Sequence, residues 1–274
     1  ELYVSTSIGI TLYPWDDSDL DTLLKNADAA MYHAKESGRN TFQFFTPELN
    51  ERAAQRLALE TALRHALERQ EFLLHYQPLV DMGSGKIIGM EALLRWQRPE
   101  HGLVPPMDFI PLAEETGLIV PIGEWVLREA CAQTRAWQRM GFPQLRVAVN
   151  LSGKQLKKEL PGVVRRTLKA TRLPSVSLDL ELTESLLMQD VEVTAAIMHE
   201  LHALGVSFSM DDFGTGYSSL SYLKRFPIDF LKIDRSFVRD ITSDPNDAAI
   251  VSAIMAMAHS LEIKVIAEGV ESHA

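Results

Sequence analysis

Hydrophobic positions near the N-terminus alternate between strand-like and helical spacing. The stretch YVSTSIGITLY predicts a strand, DLDTLLKNADAAMYHAKESG predicts a helix, and TFQFF predicts a second, short strand. Gly38 stands where the helix would need a C-terminal cap. A single helix on so small a sheet cannot form a core of its own. Residues 1–46 are therefore expected to be the tail of a domain whose front is missing, and the start at Glu1 instead of Met supports this expectation.

The next stretch, TPELNERAAQRLALETALRHALERQ, predicts an amphipathic helix that connects two domains. Leu57, Leu63 and Leu67 lie on one stripe among charged and amide side chains. We assign residues 47–70 to this connecting helix. Two interpretations stay open: the helix packs on the following domain, or it transmits a signal or forms a dimer contact.

From residue 71 onward the pattern changes to strands that alternate with helices, which is typical of a parallel sheet with crossover helices. The predicted helices include IGEWVLREACAQTRAWQRMG and DVEVTAAIMHELHALG. The predicted strands are FLLHYQPLVD, GKIIGMEALLRW, RVAVNLSG, SLDLELTES, GVSFSMDDFG, DFLKID and KVIAEGV.

The fold class that follows is α/β, a TIM-like (β/α) barrel. Only MGSG separates the first two strands, which is too short for a parallel crossover, so one of them is expected to run antiparallel. Seven strands are predicted, whereas a closed barrel has eight. The last strand is expected to be missing from these residues.

Composition narrows the class of protein. The chain has 274 residues, 46% of them hydrophobic, which suffices for one large domain and a fragment of another. No apolar run approaches the roughly 18–20 residues of a spanning helix, and the N-terminus lacks the features of a signal peptide. Cys131 has no cysteine partner and is predicted to be a buried small side chain in a reducing compartment.

The charge of the chain bears on its ligands. A net charge of −10 without a long Lys/Arg tract disfavours binding of a DNA or RNA polymer. A small phosphate ligand remains compatible with this charge. If such a ligand lies near clustered carboxylates, a cation has to separate them, and a divalent metal is the simplest candidate.

Polar residues recur on the predicted strands, close to their C-terminal ends, where active sites form in (β/α) barrels. They are Glu91, Asn150, Glu181, Asp211, Asp212, Lys232, Asp234 and Glu268. Each alone would more often be a helix cap or a surface ion pair. Together, carboxylates and an amide from different strands predict a site for hard cations such as Mg²⁺ or Mn²⁺, and the absence of His and Cys argues against zinc.

Four residues indicate phosphate chemistry at this site. Asp211 and Asp212 end a strand, so one could bridge two metals while the other binds one, an arrangement common in phosphodiester hydrolysis. Lys232 lies between two apolar residues of a strand and is either a structural ion pair or a cation beside the phosphate or the nucleophilic water. Arg95 follows Glu91 by four residues, so both lie on one face of a strand, and its guanidinium suits a phosphate oxygen.

Six motifs in order give a resemblance to a known family. EALLRW, NLSG, ELTES, DDFGTGYSSL, KIDRSFV and AEGVE, preceded by YQPLVD, resemble the EAL domain of bacterial cyclic di-GMP phosphodiesterases over about residues 70–274. We assign residues 71–274 to this domain, with its C-terminal end missing. The family continues to a closing strand that contains a glutamine, and nothing here matches that strand.

The resemblance implies metal-dependent hydrolysis of cyclic di-GMP to linear pGpG, with two Mg²⁺ or Mn²⁺ ions per active site. The implied ligands are Glu91, Asn150, Glu181 and Asp211 for one ion and Asp211, Asp212 and Glu268 for the other. Lys232 and Glu268 are the implied catalytic residues, with Lys232 at the catalytic water and the role of base left open. The implied substrate contacts are Arg95, Gln77 and Leu93. Support for the ligands and for a loop is expected from Glu184, Glu271, Asp234, Gly214 and Thr215.

Residues 1–46 resemble the end of a GGDEF, or diguanylate cyclase, domain. The matching motifs are STSIGIT and ADAAMYHAKESGRN, in which Lys35 and Arg39 match positions that face nucleotide phosphates in that family. The signature turn of the family does not occur in the sequence. Cyclase activity is therefore not predicted for this chain.

Two functions remain after this comparison of motifs. The first is the phosphodiesterase, and the second is a non-catalytic cyclic di-GMP receptor that relays a signal through the connecting helix. In either case we expect a homodimer through the EAL domain, upstream sensory or GGDEF regions, and no nucleic-acid polymer as partner. The expected location is the cytoplasm, either as a free protein or as the cytoplasmic part of a longer membrane-anchored protein.

Overall fold

The structure is a computed structural model that describes residues 5–99, 101–188, 190–214 and 223–270. Contacts divide the chain into two units, residues 1–66 and residues 67–274. No helix in the described part of the chain is both long enough and apolar enough to cross a membrane.

The first unit contains the predicted strand, helix and strand, followed by a second helix. Its elements are β1 (Ile8–Ile10), α1 (Leu20–Glu36), β2 (Phe42–Phe44) and α2 (Pro47–Ala66). β1 and β2 pair in parallel. Helix α1 begins where the Asp19 carboxylate accepts a hydrogen bond from the Thr22 amide at 2.9 Å. The connecting helix is present as α2 and ends at Ala66, four residues before the predicted end.

In the second unit strands alternate with helices along the chain. The strands are β3 (Phe72–Val80), β4 (Ile87–Arg98), β5 (Gly102–Val104), β6 (Arg146–Asn150), β7 (Leu178–Thr183), β8 (Ser207–Phe213), β9 (Phe230–Ile233) and β10 (Lys264–Ala267). The helices are α3 (Pro106–Thr116), α4 (Ile119–Arg139), α5 (Leu160–Thr171), α6 (Glu184–Leu187), α7 (Val191–Ala203), α8 (Arg235–Arg239) and α9 (Pro245–Ser260).

The strand order confirms the predicted barrel class. Neighbouring strands follow the path β10-β9-β8-β7-β6-β4-β3, and β5 pairs with the end of β4. β3 runs antiparallel to β4, as the short MGSG connection predicted. The pairs from β4 through β10 along this path are parallel. Among the described residues no strand joins β10 to β3, so the sheet is curled and open.

The core of the second unit lies between this sheet and the helices. Its largest fully buried side chains include Trp96, Phe109 and Phe208. The indole N–H of Trp96 donates to the buried Glu71 carboxylate at 2.9 Å, which satisfies both polar groups. Helix α4 buries a face that includes Ala130 and Cys131, which confirms that the cysteine is a buried side chain. Strand β5 was not predicted.

Candidate active site

Strand register brings the predicted polar residues to one end of the sheet. Asn150 pairs with Glu181 across β6 and β7, and Asp211 pairs with Thr183 across β7 and β8. Lys232 lies on β9, and Glu268 follows directly after β10, where its backbone N–H donates to the Ile233 carbonyl. Because side chains alternate along strands, residues at matching positions of neighbouring strands face the same side.

Lys232 lies at the centre of the resulting cluster. Its Nζ atom is 2.7 Å from Glu268 Oε1 and 3.1 Å from Glu181 Oε2. The same atom is 3.3 Å from Glu91 Oε2 and 3.4 Å from Asp211 Oδ1. The lysine side chain is 1% exposed, so this ammonium is removed from solvent, and carboxylates on β4, β7 and β8 and directly after β10 compensate its charge. The structure therefore brings together four of the predicted carboxylates.

Asn150 joins the cluster through its side-chain amide. Its Nδ2 atom donates to Glu91 Oε1 at 2.9 Å, a contact between residues 59 positions apart in sequence. With the nitrogen used as a donor, Oδ1 is the atom of Asn150 that could bind a cation. The proposed ligands Glu91 and Asn150 thus lie within hydrogen-bond distance of each other.

The two adjacent aspartates lie at an irregularity of β8. The register between β8 and β9 shifts between Met210 and Phe213, and Asp212 has a φ of 55°. Its backbone N–H donates to Asp211 Oδ1 at 3.0 Å. A shifted register interrupts the strict alternation of side chains. A non-glycine residue in the left-handed region costs conformational energy, and such residues cluster at functional sites.

The pKa values in the cluster reflect burial and excess negative charge. Burial raises the pKa of Glu181 well above its usual range, and Lys232 only partly opposes this change. Burial likewise raises the pKa of Glu268, and burial together with Asp211 raises that of Asp212. Burial alone would lower the pKa of the Lys232 ammonium, but the carboxylates outweigh burial and hold it above its usual range. Lys232 is therefore a cation here.

The predicted substrate residues lie on the hairpin of β3 and β4. Gln77 pairs directly with Glu91, and Leu93 and Arg95 follow Glu91 on the same face of β4. The Arg95 guanidinium donates to the Leu94 carbonyl at 2.8 Å. Gln77, Leu93 and Arg95 therefore line one strand pair beside the carboxylate cluster.

The predicted support residues have different surroundings. Glu184 begins α6 and is buried, and its Oε2 atom is without a hydrogen-bond partner within the described structure. Asp234 caps α8 by accepting from the Ser236 amide at 2.9 Å, and the bond from the Ser236 hydroxyl, followed by this amide bond, lowers its pKa. Gly214 has a φ of 98°, and a Cβ there would be 3.1 Å from the Phe237 ring. Thr215 and Glu271 lie outside the described residues.

A buried polar group beneath the cluster was not predicted from the sequence. Asp179 precedes Glu181 by two residues on β7 and accepts a short hydrogen bond from Ser209 Oγ on β8. The Arg146 guanidinium lies 4.0 Å from its other carboxylate oxygen. Burial raises the pKa of Asp179 to about 6. The alternation of Asp179 with Glu181 in LDLEL was the available signal, since it places both acids on one face.

The clustered side chains carry oxygen atoms of the kind that bind a divalent cation, although these side chains are arranged around Lys232. Among the residues described, no three His, Cys, Asp or Glu side chains are spaced as a ready metal site. Glu181 Oε1, however, is buried without a hydrogen-bond partner in the described structure, which is a costly state for a carboxylate oxygen. Carboxylate and amide oxygens are the ligands that Mg²⁺ and Mn²⁺ prefer, so the residues fit such an ion.

Fold and site together define a (β/α) barrel with an acidic, lysine-centred site at the strand ends. Comparison with known families shows to which family this barrel belongs. The model of the EAL domain matches residues 60–274, and the model "Diguanylate cyclase, GGDEF domain" matches residues 1–41. The chain belongs to the EAL domain family, and a GGDEF fragment precedes that domain, as the sequence motifs predicted.

Curated relatives and solved structures agree with this family. The chain is 52% identical to the bifunctional diguanylate cyclase/cyclic di-GMP phosphodiesterase MucR of Pseudomonas aeruginosa, over 100% of this chain and 40% of MucR. It is 47% identical to the cyclic di-GMP phosphodiesterase PdeR of Escherichia coli, over 99% of this chain and 41% of PdeR. The chain thus spans about two fifths of the length of these relatives.

Among solved structures, the MucR phosphodiesterase in complex with cyclic di-GMP has a TM-score of 0.76 and 52% identity. That similarity covers 79% of this chain and 88% of the MucR chain. The EAL domain of FimX from Pseudomonas aeruginosa bound to cyclic di-GMP has a TM-score of 0.71 and 28% identity, over 80% of this chain and 86% of that chain.

Proposed function

We propose that this protein hydrolyses cyclic di-GMP to linear pGpG. The observation that carries the proposal is the convergence of Glu91, Glu181, Asp211 and Glu268 on the buried Lys232 ammonium, at the strand ends of an EAL barrel. The 52% identity to a relative named as a cyclic di-GMP phosphodiesterase supports the choice of substrate.

In the proposed reaction, water attacks one of the two phosphorus atoms of the cyclic dinucleotide. A new P–O bond forms, the bond from phosphorus to the 3′ oxygen breaks, and that oxygen takes up a proton. The product is a linear dinucleotide with a 5′ phosphate and a free 3′ hydroxyl. The protein has to orient the water, remove its proton and stabilise the charge that develops on the phosphate oxygens.

Two divalent cations, Mg²⁺ or Mn²⁺, would be held by these side chains. Glu91, Asn150, Glu181 and Asp211 would hold one, and Asp211, Asp212 and Glu268 the other. When bound, such ions supply Lewis acidity toward phosphate oxygens and lower the pKa of water. The buried Glu181 Oε1 atom without a partner within the described structure supports this assignment.

The remaining roles fall to residues of the chain beside the ligands. Lys232 would contact the attacking water or a phosphate oxygen as a hydrogen-bond donor. Glu268, beside Lys232, would help to orient the attacking water. Arg95 would contact a phosphate, and Gln77 and Leu93 would line the dinucleotide.

A receptor that binds cyclic di-GMP without hydrolysis is the second candidate. The ion pairs that the carboxylates form with Lys232 favour this alternative. In the receptor, Lys232 would keep its carboxylate partners and α2 would relay the bound state. The enzyme is preferred because each of the ligands assigned above is present in the sequence.

The context of the domain is also a proposal. We assign residues 1–46 to the C-terminal fragment of a GGDEF-like domain, 47–70 to a connecting helix and 71–274 to the EAL domain. The family models at 1–41 and 60–274 support the order of the two domains, although the EAL model begins within the assigned helix. A homodimer through the EAL domain, upstream sensory or GGDEF regions and a cytoplasmic location complete the proposal. Light scattering of the purified protein tests the dimer, and a monomeric mass over the assay range would refute it.

The function is tested with charge-neutral variants of two ligands. Purified wild type, Glu91→Gln and Asp211→Asn are incubated with cyclic di-GMP and Mn²⁺, and the nucleotides are separated by chromatography. Wild type should form pGpG, and each variant should lose most of its turnover because a ligand oxygen is lost. Asp240→Asn, at an exposed ion pair with Arg239, is the matched control and should retain turnover. Wild-type turnover in Asp211→Asn would refute the assignment.

A further inference from the structure

A loop begins directly after Asn150, one of the proposed ligands. Asn150 is the last residue of β6, and its side chain donates to Glu91. The next residue, Leu151, donates its backbone N–H to the Glu181 carbonyl at 2.9 Å. Residues 151–155 therefore continue directly from a residue that contacts Glu91 and pairs with Glu181.

Two side-chain hydrogen bonds hold this loop at Ser152. Its hydroxyl donates to Glu114 Oε1 on α3 at 2.6 Å. Its backbone N–H donates to Gln155 Oε1 at 3.1 Å. Both bonds are partly buried, so water competes less for these groups than it would at the surface.

The Gln155 amide lies directly against helix α4 at Gly123. A Cβ atom at position 123 would be 2.0 Å from Gln155 Nε2 and 2.4 Å from its Cδ atom. Gly123 is buried within α4, where helix propensity favours alanine over glycine. The glycine is thus explained by the close approach of Gln155, because any larger residue would displace the amide.

We propose that Gly123 and Gln155 are positioning residues for Asn150 and thereby set the affinity of the site for a divalent cation, an inference that rests on the proposed function. The chain of contacts runs from Gly123 through the Gln155 amide to the Ser152 N–H, two residues after Asn150. Neither Gly123 nor Gln155 is among the proposed ligands. Both act through the loop backbone, as outer contacts of metal ligands commonly do.

The variant Gly123→Ala is expected to fold. Alanine suits the helix, and Gln155 and Gly123 border a cavity of about 290 Å³ that Val120 and Leu160 also line. The new methyl group would push the Gln155 amide into this space and break its bond to Ser152. If the contact had no role, alanine would leave metal binding unchanged.

The test measures Mn²⁺ binding by calorimetry in the absence of nucleotide. Gly123→Ala and Gln155→Ala should each weaken Mn²⁺ binding by about 10-fold. The double variant should be no weaker than either single one, because both remove the same contact. The matched control is Gly162→Ala on α5, where a Cβ would meet only the Arg166 guanidinium at 3.4 Å. Unchanged Mn²⁺ affinity in Gly123→Ala, or multiplied losses in the double variant, would overturn the inference.

The hydrogen bond between Ser152 and Glu114 can be tested with a pair of variants, one of which keeps the acceptor oxygen. Glu114→Gln keeps an oxygen that accepts from the Ser152 hydroxyl, whereas Glu114→Ala removes it. Mn²⁺ affinity should fall in the alanine variant and return toward wild type in the glutamine variant. Equal affinities in the two variants would contradict a positioning role.

This experiment separates failure of the inference from failure of the proposed function. A wild type that binds Mn²⁺ but forms no pGpG refutes the phosphodiesterase, while the affinities of the variants still decide the role of Gly123 and Gln155. A wild type that forms pGpG, with variants of unchanged Mn²⁺ affinity, refutes only the inference. A wild type that binds no Mn²⁺ overturns the inference as well.

Discussion

Lys232 contacts four of the carboxylates in the candidate site. The sequence marks it because a lysine between Leu231 and Ile233 on a buried strand needs compensation. The pattern could not tell which acids surround the ammonium, since they come from strands up to 141 residues away. Its position among four carboxylates emerges only from the three-dimensional arrangement of the strands.

Replacing Lys232 by methionine should destabilise the protein in the absence of metal. The variant leaves the Glu181 carboxylate and its neighbours buried without a counter-ion, and breaking a buried pair typically costs about 3–5 kcal/mol. The free energy of unfolding is measured by urea denaturation in EDTA. Lys158→Met, at an exposed lysine, is the control and should change stability by less than about 0.5 kcal/mol. A stability of Lys232→Met equal to that of this control would contradict the account.

Asp212 combines a proposed ligand with a left-handed backbone, and two substitutions separate these properties. Asp212→Gly and Asp212→Ala both remove the carboxylate and should both lose turnover. Only glycine adopts a φ of 55° without steric cost, so the glycine variant should be more stable than the alanine variant by about 1 kcal/mol. Urea denaturation of the two variants measures this difference. Equal stabilities would show that the backbone conformation at Asp212 is not strained.

At the scale of elements, the periods of the sequence predicted most strands and the antiparallel start of the barrel. Strand β5 and the contact between α4 and the loop after β6 escaped prediction for a physical reason. β5 has three residues and no measurable period, and the approach of Gln155 to Gly123 depends on how two distant elements pack. Asp179 was overlooked although it shares a strand face with Glu181.

The contact between β7 and β8 beneath the site can be tested through Ser209. Ser209→Ala removes the donor to the buried Asp179 carboxylate, and a buried acceptor that loses its donor costs about 1–3 kcal/mol. The free energy of unfolding should fall by that amount in urea. Ser252→Ala, whose exposed hydroxyl donates to the Ala248 carbonyl, is the matched control and should cost less. Similar losses in the two variants would show that the buried contact adds little.

Helix α4 carries the single cysteine, Cys131, on its buried face. The rate at which this thiol is alkylated therefore reports how tightly α4 packs. Burial raises the pKa of the Cys131 thiol to about 12, so the thiol stays protonated and shielded at pH 8. Alkylation by iodoacetamide at that pH should therefore be slow in the native protein and fast in urea, as followed by mass spectrometry. Rapid alkylation of the native protein would mean that α4 opens readily.

At the scale of the whole molecule, alternating strands and helices predicted the barrel, and six motifs in order predicted its family. Two other motifs, STSIGIT and ADAAMYHAKESGRN, predicted the preceding fragment. The strand-end acids were predicted as one group since parallel strands end at the same edge of a sheet. The position of the Lys232 ammonium among the acids and the contacts around Asn150 could be seen only in the three-dimensional structure. The second unit, residues 67–274, contains all of the described residues assigned to the site.

The central claim is that this site hydrolyses its nucleotide by attack of water on phosphorus. The most direct measurement incubates wild-type protein with cyclic di-GMP and Mn²⁺ in water enriched in a heavy oxygen isotope and records the products by mass spectrometry. We expect pGpG with one heavy oxygen in its 5′ phosphate, and no pGpG when EDTA replaces Mn²⁺. Recovery of intact cyclic di-GMP that is bound to the protein would contradict it and favour the receptor.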